Sequence, residues 1–158
     1  MSEHMSCQFV IQEFIDVNGA ENGALLPLLH AIQDKFGYIP KSAVTPISKA
    51  LSLSAAEVHG VITYYHYFRS EAPGKHIVQI CRAESCQACG SGELLAVAQD
   101  QLGCSFHQKS LSGLITLEPV YCLGLCASSP AIQVDNKLHA RVSIETFKGI
   151  LADLEASA

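Results

Sequence analysis

Apolar residues in the first half of the chain recur at helical spacing. Leu25, Leu28, Leu29, Ile32 and Phe36 form one such stripe. Pro27 suits its first turn and Gly37 its C-terminal cap. A second helix is expected from about Ser42, with Val44, Ile47 and Leu51 on one face and Pro46 in its first turn. Ser54-Ala55-Ala56-Glu57 has the form of a capping box and opens a third, with Val58, Val61, Ile62 and Tyr65 facing inward. The texture changes at Ala72-Pro73-Gly74-Lys75. Residues 76–81 are alternating and β-branched, which predicts a strand. Residues 93–102 read as a helix and 114–121 as a strand. Residues 131–134 and 138–142 read as a hairpin around Asp135-Asn136-Lys137. Ser143 can cap a last helix carrying Phe147, Ile150, Leu151 and Leu154. The order predicts an α/β protein: an N-terminal helical bundle over 1–72, then a domain over 73–158 with helices on a small mixed sheet.

Composition narrows the function. Of 158 residues, 49% are hydrophobic and 16% charged, enough to build a core and unlike a disordered chain. The net charge is −5 with no run of Lys or Arg, which argues against nucleic acid or an anionic membrane surface as partner. No apolar stretch approaches the roughly 20 residues of a membrane span, so direct membrane insertion is not expected. Met1-Ser2-Glu3-His4-Met5 lacks a basic segment followed by an apolar core, so no secretion signal is expected and the cytoplasm is the expected location. In that reducing compartment seven cysteines point to metal binding or redox chemistry rather than to structural disulfides.

Five of the seven fall into two groups, each where a strand runs out into a loop. The first is Cys81-Arg82-Ala83-Glu84-Ser85-Cys86, with Cys89 three positions on; the second is Cys122-Leu123-Gly124-Leu125-Cys126. Two loops at one sheet edge can present four thiolates to one centre. Ferric iron bridged by sulfide takes four thiolates to complete two tetrahedral irons. Gly90, Gly92 and Gly124 would permit close backbone approach. A helix opening near Ser91 would turn its N-terminal dipole toward the anionic cluster, and Leu123, Leu125 and Ala127 would limit water at the sulfurs. The spacing also admits a second set. Cys81-x4-Cys86-x2-Cys89 with a distant Cys is a plant-type ferredoxin pattern, in which Cys89 is a ligand and Cys126 is not. The helical segment after Cys89 and the otherwise coincidental Cys122-x3-Cys126 favour Cys81, Cys86, Cys122 and Cys126, with Cys89 a nearby thiol able to substitute.

Other readings are weaker. A structural zinc site favours C-x2-C pairs, and here the spacings are x4 and x3. A thiol–disulfide enzyme built on Cys86-Gln87-Ala88-Cys89 leaves Cys122 and Cys126 unexplained. Cys7 and Cys104 have no partners in sequence and read as ordinary thiols. No pair of the seven histidines has a zinc-hydrolase spacing, although His59 and His66 could share a helical face. Core packing is the expected role for at least half of Tyr64, Tyr65, Tyr67 and Phe68. Pro130 suits a rigid turn or a cis bond.

Three stretches together resemble a known family. They are LLHAIQDKFGYIP at 28–40, EVHGVITYYHYF at 57–68 with Pro73-Gly74-Lys75-His76, and the two cysteine loops. The chain is similar to the thioredoxin-like [2Fe–2S] subunit of NADH:quinone oxidoreductase over about residues 10–155. The resemblance implies a thioredoxin-like second domain and one [2Fe–2S] cluster on Cys81, Cys86, Cys122 and Cys126. It also implies a non-catalytic, electron-transferring role inside a larger NAD-dependent oxidoreductase. Arg82-Ala83-Glu84-Ser85-Cys86, Leu117-Glu118-Pro119-Val120-Tyr121-Cys122 and His139-Ala140-Arg141-Val142 most resemble the gamma subunit of cytosolic NAD-dependent formate dehydrogenases. That branch implies a beta subunit binding flavin (FMN) and NAD, and an alpha subunit with further iron–sulfur clusters and a molybdenum or tungsten cofactor. The equivalent subunit of NADH:quinone oxidoreductase or of an NAD-reducing hydrogenase is the alternative.

Overall fold

The computed structural model describes residues 2–156, with side chains from Cys7 onward; Met1-Ser2-Glu3-His4-Met5, read above for a secretion signal, lies outside the described side chains. The chain divides into two compact units, Met1–Ala72 and Pro73–Ala158.

The first unit is all-helical: α1 (Ser2–Asn18), α2 (Leu25–Phe36), a 3-10 turn at Lys41–Ala43, α3 (Val44–Ala50) and α4 (Ala55–Tyr64). Its core joins Cys7, Val10 and Ile11 of α1 to Leu28, Leu29 and Ile32 of α2, with Ile39, Ile47, Val58, Ile62 and Phe68. Gly37 ends α2 at φ 80°, a left-handed conformation glycine adopts without steric cost. The capping box of α4 is formed in full. Ser54 Oγ accepts from Glu57 N–H at 3.1 Å, and Glu57 accepts from Ser54 N–H at 2.8 Å. Gln33, buried, donates to Tyr67 C=O and accepts from Arg69 N–H, pinning the segment after α4 to α2.

The sequence pattern misses α1 and misjudges the aromatic run. Val58 and Ile62 face the core as expected, but α4 stops at Tyr64, so Tyr65 leaves the helical stripe and is exposed. Tyr64 and Tyr67 are exposed too, and of the four rings only Phe68 is buried. His66 also lies past the end of α4, so it shares no helical face with His59.

The second unit carries β1 (His76–Cys81), α5 (Glu84–Ala88), α6 (Ser91–Leu102), β2 (Gln108–Lys109), β3 (Ile115–Val120), β4 (Ile132–Val134), β5 (Lys137–His139) and α7 (Ile144–Ala156), with a 3-10 turn at Cys126–Ser128. The sheet order is β2-β3-β1-β4-β5. β1 and β3 are parallel neighbours, and the other pairings are antiparallel, so the sheet is mixed. α5 and α6 form the crossover that a parallel pair requires. Leu94, Ala98 and Leu102 of α6 and Phe147 and Leu151 of α7 share a core with Val78, Ile80, Ile115, Leu117, Ile132 and Val134 of the sheet. Ser143 caps α7, accepting from Thr146 N–H at 3.1 Å. The hairpin is tighter than expected. Lys137 already belongs to β5, the turn is Asp135-Asn136, and the chain leaves the sheet after His139, although Val142 is still buried. Among the described residues, no helix is long and apolar enough to cross a membrane.

Candidate functional site

The site is built at the carboxyl ends of the two parallel strands. In the β1–β3 register His76 pairs with Ile115 and Cys81 with Val120. Cys81 is therefore the last residue of β1, and Cys122 lies two residues beyond the rung opposite it. The loop after β1 turns into α5, which carries Cys86. The loop after β3 passes Gly124, at φ 75°, and enters the 3-10 turn that opens with Cys126.

The four thiols come as two pairs. Cys122 Sγ and Cys126 Sγ are 3.7 Å apart and exposed. Cys81 and Cys86 are buried beside each other and share a small apolar cluster with Ala131, against which Ala83, Val120, Leu123 and Leu125 pack. Leu123 and Leu125 thus shelter the first pair; Cys122, Cys126 and Ala127 stay exposed, so the expected dry surround covers half of the site. Backbone amides reach the sulfurs from both loops. Gly124 N–H donates to Cys122 Sγ at 3.3 Å, Ala83 and Leu123 N–H reach Cys81, and Ala131 N–H reaches Cys86.

Two serines tie the loops together. Ser85 Oγ lies 3.0 Å from Cys126 C=O and 2.8 Å from Ser129 Oγ. Ser129 Oγ lies 3.0 Å from the same carbonyl and 3.4 Å from Cys86 Sγ. Sequence reasoning missed both serines. Each sits beside a cysteine or proline of its loop, but their contact spans 44 positions and has no local signature. The Ser129–Pro130 bond is cis, one of the two forms expected of Pro130.

The surroundings split the thiols electrostatically. Burial first, and then the neighbouring Cys86, raise the pKa of Cys81 against the opposing pull of the Ala83 and Leu123 amides. Burial also pushes Cys86 upward, but the Ser129 hydroxyl, the Ala131 amide and the Cys81 thiol together outweigh it and leave Cys86 lowered. Cys126 is raised by its hydrogen bond to Cys122, by repulsion from that sulfur and, to a lesser extent, by Cys86. Thiolates paired as closely as Cys122 and Cys126 repel each other, and a cationic centre relieves that repulsion.

Among the described residues, no three His, Cys, Asp or Glu side chains gather tightly enough to hold a single metal ion. The donor set fits two metals better. A tetrahedral ion with metal–sulfur bonds of about 2.3 Å sets two of its sulfurs about 3.8 Å apart, close to the Cys122–Cys126 separation. Cys89 is exposed at the end of α5, and the hydrogen bonds linking the loops run through Ser85 and Cys86 instead. α6 opens at Ser91, two residues past Cys89. Cys7 and Cys104 are buried free thiols outside both loops.

A model of the thioredoxin-like [2Fe–2S] ferredoxin family matches residues 11–155. The chain belongs to that family. As a family member it is 33% identical over 119 residues to an NADH-quinone oxidoreductase subunit of Pseudomonas aeruginosa, covering 75% of this chain and 72% of that one. It is 31% identical over 126 residues to the subunit of the same name in Aquifex aeolicus, covering 80% and 79%. The NADP-reducing hydrogenase subunit HndA of Solidesulfovibrio fructosivorans is 26% identical over 143 residues, covering 90% and 84%. A crystal structure of NAD+-reducing [NiFe]-hydrogenase superposes with a TM-score of 0.72 at 18% identity, over 85% of this chain and 22% of that one. The ferredoxin chain thus spans about a fifth of that hydrogenase chain, and the likeness speaks for the fold alone.

Proposed function

We propose that Cys81, Cys86, Cys122 and Cys126 hold one [2Fe–2S] cluster, and that the chain is the electron-transfer subunit of a multi-subunit NAD-dependent oxidoreductase. The observation that carries this is the pair of thiol pairs at the adjacent ends of parallel strands β1 and β3, with Cys122 and Cys126 at a separation suited to one tetrahedral iron. Such a cluster supplies reversible one-electron storage. The chain's own residues do the rest. Leu123 and Leu125 exclude water from Cys81 and Cys86, which disfavours added negative charge and lowers the potential. The Ala83, Leu123, Gly124 and Ala131 amides act in the opposite direction. No side chain is required to move a proton to or from a substrate.

The relatives named above are subunits of quinone- and hydrogen-linked complexes, and they support the general reading of an NAD(P)-linked partner. The finer reading is the gamma subunit of a cytoplasmic formate dehydrogenase, trading electrons with the flavin of a beta subunit that binds NAD. It rests on the resemblance of 82–86, 117–122 and 139–142 to that branch. The domain boundary near residue 72 and the cytoplasmic location belong to the same proposal. Iron and acid-labile sulfide analysis, with EPR of the dithionite-reduced chain, tests the cluster; a colourless protein with one zinc would overturn it. Purification with its partners tests the branch. Formate-dependent NAD+ reduction and molybdenum or tungsten are expected, and a nickel-containing or quinone-reducing complex would assign one of the alternatives.

A further inference from the structure

The serine pair between the loops carries more than a structural tie. Two hydroxyl protons there serve several acceptors: Cys126 C=O, Cys86 Sγ and each other's oxygens. Once Cys86 is a metal ligand it has no proton, so at the 3.4 Å contact only Ser129 can donate. A thiolate attracts a donor more strongly than a neutral carbonyl does. Ser85, within 3.0 Å of Cys126 C=O, can satisfy that carbonyl and leave the Ser129 proton for sulfur.

Resting on the ligand set proposed above, we propose that Ser129 is a positioning and tuning residue that donates its hydroxyl proton to the Cys86 sulfur and raises the reduction potential, with Ser85 directing it there. The physical reason is differential. Reduction adds negative charge to the cluster and its sulfurs, so a hydrogen bond to a ligand sulfur is stronger in the reduced state. Removing the donor then costs the reduced state more than the oxidised one. Ser85→Ala has a weaker effect of the same sign, because the Cys126 carbonyl then competes for the single remaining proton.

The test compares Ser129→Thr with Ser129→Val in the whole, cluster-bearing chain. The two side chains share a shape and differ in the hydroxyl. Redox titration by EPR is expected to give Ser129→Thr a potential near that of the parent. Ser129→Val should lose about threefold in the reduced-to-oxidised ratio at fixed potential, a lowering of about 28 mV at 59 mV per tenfold. Pulsed EPR of the reduced cluster in H2O and D2O should show one strongly coupled exchangeable proton fewer in Ser129→Val than in Ser129→Thr. A merely structural role for Ser129 would leave that proton signal unchanged. Equal potentials or equal exchangeable-proton signals in the two variants, with iron and sulfide intact, overturn this inference alone. A parent chain without iron and sulfide, or an unchanged cluster in Cys86→Ser, overturns the ligand reading beneath it.

Discussion

Cys81 and Val120 are partners on the last rung of the parallel β1–β3 ladder. Beyond that rung both chains leave the sheet on the same edge, and Arg82 N–H still donates to Val120 C=O at 2.7 Å. The rung sets where the two cysteine loops begin and so brings residues about 40 positions apart into one site. On the proposed ligand set, both loops are needed for the cluster. Cys122→Ser and Cys126→Ser are each expected to lose the visible chromophore and most of the iron and sulfide. Cys89→Ser is expected to keep them. Iron, sulfide and absorbance of the three purified variants check this, and a coloured Cys126→Ser with a colourless Cys89→Ser would restore the plant-type assignment.

Leu125 packs against the buried Cys81–Cys86 pair without being fully covered itself. A lysine there would bring water and a positive charge beside the sulfurs. Both favour the more negative, reduced state. Leu125→Lys is therefore expected to raise the midpoint potential, read by EPR-monitored titration. An unchanged or lower potential would show that the sheltering loop does not control it.

Much of this was legible from the pattern of residues, for reasons that also explain the gaps. α2, α4, α6 and α7 each combine a buried stripe with a terminal signal, such as Gly37 or the Ser54–Glu57 box, so propensity, patterning and capping agree. The buried face of α1 is just as regular, at Cys7, Val10 and Ile11, but exposed Phe9 and Val17 interrupt it and blur the stripe. β2 has two residues, both exposed, and is too short to leave any periodicity. The run 64–68 looks like core because aromatic rings dominate it. Which rings are buried depends on where α4 ends, and that is decided by tertiary contacts such as Gln33 with Tyr67. At the site, the cysteine spacing was readable, whereas the serine bridge and the unequal burial of the two pairs arise only when the loops meet.

Phe147 is the largest fully buried side chain, in the core that α6 and α7 share with the sheet. Truncation removes apolar contacts from a core with no solvent access. Phe147→Ala is expected to cost about 3–5 kcal/mol. Chemical denaturation followed by circular dichroism measures it, and a loss under about 1 kcal/mol would mean that the core collapses around the gap.

Glu57 gives the helical unit a dependence on acid. Hydrogen bonds from the Ser54 backbone and hydroxyl lower its pKa below the ordinary carboxylate value. The unfolded chain then binds the proton more readily than the folded one. The stabilisation is complete above the ordinary carboxylate pKa of about 4.3 and is lost as pH falls through the lower, folded value. Glu57→Gln, which cannot ionise, is expected to be less stable than the parent at neutral pH, with the difference narrowing below about pH 4. Thermal unfolding of both proteins across that range checks the sign. A gap that stays constant with pH would remove the ionised cap as its cause.

Gly74 stands at the entrance to β1, and its backbone lies flat against the chain before β3. Its N–H donates to Thr116 Oγ1 at 2.7 Å. A Cβ built on it would lie 2.5 Å from Leu114 C=O oxygen and 2.9 Å from Ile115 N, both of which are backbone atoms unable to swing aside. His76 N–H donates to the same Leu114 carbonyl at 2.9 Å, so pushing that carbonyl away disturbs the first bond between the parallel strands. Gly74→Ala is accordingly expected to destabilise the second unit by about 1–3 kcal/mol, as overpacking does elsewhere. The damage should spread along β1 toward Cys81, because the strand registers on β3 from this end. Faster hydrogen exchange at Val78 and Ile80, with slower cluster incorporation into the refolded chain, is the expected pattern. Stability equal to the parent would mean that the segment before β1 can shift without moving the ladder.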